Sequence, residues 1–277
     1  MDSTQRTELT SQESTLSAYE RAAEEGGDPR CIPQSLTGDP PIGDEIDYPT
    51  YPASDHEIWQ TLFERQIDLL PGRAAQAYLD GVKILGLTND RIPALRDLSS
   101  ALEKASGWQV ARIPGLLHEK DFFGLLARRI FPSTDYIRGV EELDYTPAPD
   151  LFHDIFGHMP MLTDPSFADF YHRFGKAALH ATGQDRVSLE RLHWFTVEFG
   201  LVDQEIGRRI YGAGILSSKE EVRHALSDEV TVHRFDPNRV TEQDYEVWHL
   251  QDTLFVVNSF GELESGFKEW TLGRGLT

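Results

Sequence analysis

The apolar residues that follow residue 54 recur every three or four positions, which is the period of an amphipathic helix. The first such run begins after Ser54 or Asp55, either of which can cap a helix, and ends before Pro71 and Gly72. The pattern predicts helices over residues 55–70, 73–85, 93–105, 120–130, 165–181, 187–206 and 218–226. Strand-like runs cover residues 108–113, 230–235 and 254–257. We therefore expect a fold that is mainly α with a small β component (α+β).

Residues 1–54 lack this patterning. The segment is rich in Ser, Thr, Gly and Pro, and its first fifty residues hold eleven acidic and three basic side chains. This composition predicts a poorly ordered acidic leader over residues 1–54, dispensable for any activity of the chain, and a single folded domain over residues 55–277. The part from Ile42 to Tyr51 is expected to lie across the surface of that domain.

Charge and cysteine content exclude several classes of function. The formal net charge is −20, so the surface is poorly suited to nucleic acid or to an anionic membrane, both of which need Lys and Arg. Cys31 is the single cysteine, which rules out an internal disulfide and favours a reducing, cytoplasmic location. The sequence shows neither a basic-then-apolar signal peptide nor an apolar run long enough to span a membrane.

Two histidines five residues apart stand in the apolar stretch after Pro149. On an ideal α-helix, His153 and His158 would point in different directions, because residues four apart, not five, share a face. The two rings can converge only if the helix ends between them or is wound differently. Gly157 and Pro160 make either outcome possible.

A third potential ligand follows forty residues later. Glu198 is set among bulky apolar residues, where a carboxylate is costly to bury without a cation or a hydrogen bond. Two imidazoles and one carboxylate form the facial triad of mononuclear non-haem iron sites, which leaves positions open for oxygen and substrate. The alternative from the residues alone is that both histidines are hydrogen-bonded core residues and Glu198 is a solvated helix residue.

The motif PDLFHDIFGHMPML (residues 149–162), followed by WFTVEFGL (194–201) and RIYGAGILSS (209–218), resembles the pterin-dependent aromatic amino acid hydroxylases. The resemblance runs from about Trp59 to about Phe260 and is greatest to the short bacterial members, which consist of a catalytic domain alone. It implies a monooxygenase that uses Fe(II), a tetrahydropterin and O2 to hydroxylate the ring of an aromatic amino acid, with L-phenylalanine to L-tyrosine as the leading expectation. It also implies a monomer.

The resemblance assigns roles to individual positions. His153, His158 and Glu198 match the iron ligands. Arg138 matches the arginine that binds the substrate carboxylate, and Asp150 matches the aspartate that orients it. The remaining matches are, for the substrate, Thr146, Pro149, Trp194, Gly214 and Ser217, and, for the pterin, Gly115, Leu117, Phe122 and Asp154.

One position departs from the family pattern, and several alternatives stay open. His193 stands where the family usually has tyrosine, which would place a titratable group beside the oxygen site. The shared motifs do not decide between phenylalanine 4-hydroxylation, meta-hydroxylation of phenylalanine and 5-hydroxylation of tryptophan. A zinc hydrolase could also use two histidines and a glutamate, but its common pattern has histidines four apart with Glu after the first. A non-catalytic amino-acid-binding protein is the third class.

Overall fold

Sixteen regular α-helices and β-strands make up the part of the chain described by this computed structural model, residues 28–144, 146–247 and 249–277. The α-helices are α1 (Ala53–Ile67), α2 (Gln76–Ile84), α3 (Leu95–Ser106), α4 (Glu119–Leu126), α5 (Pro165–His180), α6 (Gln184–His193), α7 (Ala213–Leu216), α8 (Lys219–His224), α9 (Pro237–Val240) and α10 (Phe260–Arg274). The strands are β1 (Gln109–Arg112), β2 (Ile130–Ser133), β3 (Gly200–Gln204), β4 (Gly207–Ile210), β5 (Thr231–Arg234) and β6 (Thr253–Val257). Helices dominate and strands are few, which confirms the predicted fold class.

Helix α5 lies at the centre of the helical layer. Asp164 caps its N-terminus by accepting a hydrogen bond from the backbone N–H of Phe167, and Pro165 fits the first turn. Its buried face is aromatic and packs against α4 and α10. The rings of Phe174 and Phe267 stack with centroids 5.0 Å apart, which fixes α10 against α5.

Helices α1 and α2 support the segment that carries the two histidines. Trp59 in α1 packs edge-on against Phe152, and the hydroxyl of Tyr78 in α2 donates a 2.6 Å hydrogen bond to the carbonyl of Phe156. Gly81 allows α2 to approach closely, because a Cβ at this position would lie 2.1 Å from the carbonyl oxygen of Pro160. The sequence pattern placed both helices correctly within a few residues.

The strands form two small sheets. Strands β1 and β2 pair in parallel, with Gln109 opposite Ile130, and the larger sheet has the order β4-β3-β6-β5. Strand β3 pairs antiparallel with β4 and parallel with β6, with Gly200 opposite Phe255. Because β3 starts two residues after Glu198, this sheet fixes the end of the segment that carries the glutamate.

Some predicted boundaries are wrong. The helix predicted over residues 187–206 ends at Glu198, and Gly200–Gln204 is a strand instead. The helix predicted over residues 120–130 ends at Leu126, and β2 follows it. Short apolar runs suit either a strand or a buried helical turn, so periodicity alone could not separate them. Helix α10, which no pattern predicted, closes the fold.

The predicted leader needs a correction for its second half. The boundary at residue 55 stays a prediction, but residues 28–54 lie against the domain, and Cys31 and Ile46 are each 2% exposed. Ile42 bridges Ala111 at the edge of β1, as expected of a segment crossing the domain surface. Residues 1–27 lie outside the described residues. Within the described ranges, no helix is both long and apolar enough to cross a membrane.

Candidate metal centre and active site

Two π-helices present the three candidate ligands. The first runs from His153 to His158 and the second from Trp194 to Glu198. Their i→i+5 backbone bonds, Met159 N–H to Asp154 O and Phe199 N–H to Trp194 O, widen the turn. Residues five apart therefore return to the same face, which is the different winding that the spacing of the histidines required.

The ligand atoms converge at one point. The two Nε2 atoms of His153 and His158 lie 2.9 Å apart. Glu198 places Oε1 3.3 Å from Nε2 of His158 and Oε2 3.6 Å from Nε2 of His153. Two nitrogen ligands bound at about 2.1 Å and at right angles would be about 3 Å apart, so the separation of the imidazoles fits a shared metal ion. Within the described residues, this is the group of metal-binding side chains that the fold brings together.

Hydrogen bonds set the tautomer of His153. Its Nδ1 lies 2.9 Å from Oγ of Ser217, and the Ser217 hydroxyl donates in turn to the carbonyl of Ala213 at 2.8 Å. Ser217 therefore accepts the Nδ1 proton, and Nε2 keeps its lone pair for a metal.

The protonation states also fit a metal site. Burial and the neighbouring His158 lower the pKa of His153 to about 4, so its ring is neutral near pH 7. Burial alone would raise the pKa of Glu198, but His158 and its hydrogen bond outweigh burial and hold that pKa well below its usual range. For His158, burial would lower the pKa, and Glu198 raises it overall. A cation between these groups would take the place of the His158 proton.

Arg138 and Asp150 form a buried ion pair beside the ligands. Arg138 is 5% exposed and Asp150 is 0% exposed. The carboxylate accepts from Nε and Nη2 of Arg138 at 2.9 and 2.8 Å, and from the backbone N–H groups of Arg138 and His153, each at 3.0 Å. Burial alone would raise the pKa of Asp150, but the bonds from Arg138 lower it overall. The pair is therefore not a surface ion pair, which would contribute little to stability.

A mainly apolar cavity of about 200 Å³ opens onto the ligands. The predicted residues on its wall are His153, His158, Glu198, Pro149, Trp194, Gly115, Leu117, Phe122 and Asp154. The other predicted substrate residues, which are not on the wall, are Arg138, Thr146, Asp150, Gly214 and Ser217. Asp150 and Ser217 contact His153 from behind, and a Cβ on Gly214 would lie 3.0 Å from the ring of Phe199.

Asp154 and His193 are two further titratable side chains close to the candidate ligands. The backbone N–H of Thr134 donates a 2.8 Å bond to Asp154 on the cavity wall, while burial raises the pKa of Asp154 to about 7. His193 places Nδ1 3.9 Å from Oε1 of Glu198 and Nε2 3.0 Å from the hydroxyl of Tyr171. The sequence suggested that His193 titrates near neutral pH. Burial lowers the pKa of its ring to about 4, so it does not.

Sequence reasoning missed several residues of the site. Tyr245 lines the cavity and stacks on Trp194 with ring centroids 4.4 Å apart, and the indole N–H donates to Gln251 at 3.0 Å. Pro33, from the predicted leader, also lines the cavity. An aromatic residue in a polar loop gives no periodic signal, and Pro33 lies in a stretch whose composition suggested disorder. These positions could be found only from contacts between distant parts of the chain.

Known proteins similar to this chain carry the same architecture. The sequence model of the biopterin-dependent aromatic amino acid hydroxylases matches residues 36–274. The phenylalanine-4-hydroxylase of Pseudomonas aeruginosa is 48% identical over 207 residues, which cover 75% of this chain and 79% of that protein. The phenylalanine-4-hydroxylase of Mesorhizobium japonicum is 42% identical over 247 residues, covering 86% of this chain and 89% of that protein.

Solved structures agree with this comparison. The Chromobacterium violaceum phenylalanine hydroxylase with bound iron(III) and 7,8-dihydrobiopterin superposes with a TM-score of 0.77 at 42% identity, covering 81% of this chain and 82% of that one. The apo phenylalanine hydroxylase of Colwellia psychrerythraea gives a TM-score of 0.78 at 39% identity, covering 80% and 86%.

Proposed function

This chain belongs to the biopterin-dependent aromatic amino acid hydroxylases, and from that membership we propose that it hydroxylates L-phenylalanine to L-tyrosine with O2, a tetrahydropterin and iron. The observation that carries the proposal is the convergence of His153, His158 and Glu198 at the end of a mainly apolar cavity. The relatives named above are phenylalanine-4-hydroxylases, and one of them binds iron(III) and dihydrobiopterin at this fold. These similarities support phenylalanine as the substrate of this chain and iron as its metal.

We assign the iron to His153, His158 and Glu198. His153 is neutral near pH 7 and Glu198 is ionised, and a metal ion would displace the proton that Glu198 favours on His158. The donor set would then be the two imidazoles and one carboxylate of a facial triad. Iron bound there, together with the reduced pterin, would supply the activation of O2 for ring hydroxylation. The protein's own contribution is to hold the ligands, leave the opposite face open and keep water out.

Arg138 binds the substrate carboxylate in this proposal. Asp150 occupies the Nε and Nη2 edge of the guanidinium, so the edge formed by Nη1 and the second Nη2 hydrogen is left for another carboxylate. Thr146, Gly214 and Ser217 would complete the amino acid site around it. Pro149 and Trp194 would hold the aromatic ring in the cavity, where orientation toward the iron decides the position of attack.

The pterin is assigned to four other residues that line the cavity. Gly115 and Leu117 offer the backbone of a loop, Phe122 offers a ring for stacking, and Asp154 offers an acidic group near the heterocycle. All four line the cavity, and Phe122 packs against the apolar cluster that contains Leu117, which supports grouping these two.

The test is product analysis with matched ligand variants. The purified protein is incubated with Fe(II), tetrahydropterin, O2 and each aromatic amino acid, and the hydroxylated isomer is identified. We expect tyrosine from phenylalanine; 5-hydroxytryptophan or meta-tyrosine as the main product would replace the substrate or ring position proposed. Activity without O2 or pterin, with zinc bound after anaerobic purification, would favour a hydrolase instead.

The ligand assignment has its own measurement. His153→Ala, His158→Ala and Glu198→Ala should each lose bound iron and hydroxylation while keeping the circular dichroism of the folded protein. His172→Ala, which changes a histidine that contacts the Ala127 carbonyl instead, serves as the control. Normal iron content in any of the three variants would remove that residue from the ligand set.

Location and assembly are proposed on indirect grounds. A cytoplasmic location is supported by the single, buried Cys31, which cannot form an internal disulfide. A monomer is proposed from the resemblance to short bacterial members, and light scattering on the purified protein would test it.

A further inference from the structure

The short segment of residues 28–36, called the strap below, reaches the cavity through Pro33. It begins with a turn in which Asp28 accepts from the backbone N–H of Arg30 at 2.8 Å. Cys31 in the strap is buried at 2% exposure, and Pro33 lines the cavity. The family match begins at residue 36, so almost all of the strap lies before it.

One end of the strap is hydrogen-bonded to residues 116–121, called the cofactor loop because it contains Leu117 and precedes Phe122, both assigned to the pterin. The backbone N–H of Gln34 donates to the carbonyl of Leu116 at 2.8 Å, and the N–H of His118 donates to the carbonyl of Gln34 at 2.9 Å. These two bonds flank Leu117 on both sides. The N–H of Leu36 donates to Asp121 at 2.8 Å, next to Phe122. The strap therefore fixes the residues on both sides of Leu117 and the residue before Phe122, and Leu117 and Phe122 are two of the assigned pterin contacts.

The other end is hydrogen-bonded to the substrate segment, the part of the chain that carries Thr146 and Pro149. The guanidinium of Arg30 bonds both oxygens of Glu142, with Nη1 2.9 Å from Oε2. The thiol of Cys31 donates to the carbonyl of Pro147 at 3.0 Å. Pro147 lies between Thr146 and Pro149, which are assigned to the substrate.

We propose that the strap is a positioning element that joins the cofactor loop to the substrate segment, so that pterin binding and strap closure stabilise each other. This inference rests on the proposed function. Because coupling between two binding events is reciprocal, a strap held closed by pterin must also hold the pterin more tightly. The strap is hydrogen-bonded both to the segment assigned to the pterin and to the segment assigned to the substrate, so loosening it would weaken amino acid binding as well.

Cys31 gives a direct readout, because it is the single cysteine of the chain and it lies in the strap. Its thiol is buried and donates to the carbonyl of Pro147, so reaction with a neutral disulfide reagent requires the strap to open. The rate of labelling is measured on the full-length Fe(II) protein without O2, with and without tetrahydropterin. If the open state does not bind pterin, a pterin concentration of about ten times Kd should slow labelling roughly tenfold.

Low concentrations of urea identify which opening is measured. Labelling through a local opening of the strap should be nearly independent of urea, whereas labelling through global unfolding should accelerate steeply. A steep dependence on urea, or a rate unchanged by pterin, would overturn the proposal.

A matched pair of variants tests the bond from the strap to the cofactor loop. Gln34→Pro removes the backbone N–H that Leu116 accepts, whereas Gln34→Ala removes only an exposed side chain. We expect Gln34→Pro to raise the KM for pterin about fivefold and to speed Cys31 labelling, with iron content unchanged. Gln34→Ala should match the wild type, and equal KM values in the two variants would overturn the proposal.

The labelling result does not depend on turnover. If the wild type binds pterin and protects Cys31 but forms no tyrosine, the strap stands and the proposed reaction fails. If tyrosine forms but pterin does not change the rate of Cys31 labelling, the proposed reaction is supported and the strap proposal is wrong.

Discussion

Replacing Arg138 by lysine tests the substrate assignment, and the structure allows its cost to be worked out. Arg138 makes two side-chain bonds to Asp150 through Nε and Nη2, and an ammonium cannot reproduce this fork. A forked contact from the other edge of the guanidinium to the substrate carboxylate would use two hydrogen bonds between charged groups, each contributing about 1.5–3 kcal/mol, so a lysine that keeps one of them should lose about 2 kcal/mol in substrate binding. That corresponds to a rise of roughly thirtyfold in the KM for phenylalanine. The ratio of tyrosine formed to pterin consumed should fall too, since a misplaced ring is hydroxylated less often.

Asp150→Asn should have a different signature. Sequence reasoning gave Asp150 the single role of orienting the arginine, but its Oδ1 also accepts the backbone N–H of His153. An amide nitrogen in place of either oxygen would face N–H donors and leave Arg138 without its counter-charge. We therefore expect Asp150→Asn to weaken both iron binding and substrate binding, whereas Arg138→Lys should leave iron content normal.

The assay combines the KM for phenylalanine, the coupling ratio and the iron content in both single variants and the double. Arg274→Lys is the control, because its pair with Asp185 is partly exposed and lies at 2.8 Å on the surface. The effects of the two buried changes should be strongly non-additive, since both disable one ion pair. An unchanged KM and full coupling in Arg138→Lys would refute the carboxylate-binding role and leave Arg138 as a structural partner of Asp150.

Three further predictions address the surroundings of the site. Ser217→Ala should lower iron affinity about 10–100-fold, measured by competition with a chelator, because His153 loses the acceptor that fixes its tautomer; unchanged affinity would contradict this. Glu221→Gln should raise the free energy of unfolding by about 2 kcal/mol at pH 8 and not at pH 4. The reason is that burial raises the pKa of Glu221 from 4.5 to about 7, so stability is complete below pH 4.5 and is lost as pH rises through 7; an equal effect at both pH values would refute it. Gly81→Ala should cost about 3 kcal/mol or more in urea unfolding, since its Cβ would lie 2.1 Å from a backbone oxygen, whereas Gly124→Ala, with open space, should be neutral or stabilising.

The helical scaffold could be predicted from sequence because its signals are local. The apolar face of α3 repeats through Leu95, Leu98 and Leu102, and Gly107 ends the helix in a left-handed conformation. The cap of α5 by Asp164 and Pro165 is equally local. In such segments the side-chain period and the capping residues agree, so the structure follows the pattern closely.

The rest of the site depends on contacts that no local pattern contains. Tyr245 stacks on Trp194 across 51 positions of sequence, and Gln34 pairs with Leu116 across 82. Strand β3 is short and its first three residues are buried beside β6, so its apolar residues resemble the last turn of a helix. The composition of residues 28–54 suggested poor order, but the segment lies against the domain. A polar segment with few large apolar residues can still be fixed by backbone hydrogen bonds.

The ligand spacing shows how the two kinds of information combine. His153 and His158 are five positions apart, so an ordinary α-helix cannot place both rings on one face, and the sequence shows that conflict without resolving it. A π-helix resolves it, but its poorer backbone geometry is stable only where surrounding packing holds it. Phe152 and Phe156 supply that packing, with rings stacked at 4.8 Å, and Gly157 lets α7 approach, since a Cβ there would lie 3.0 Å from the carbonyl of Ala213. The helix that this approach brings in carries Ser217 at its end, so the packing that holds the first π-helix also delivers the hydroxyl that orients His153.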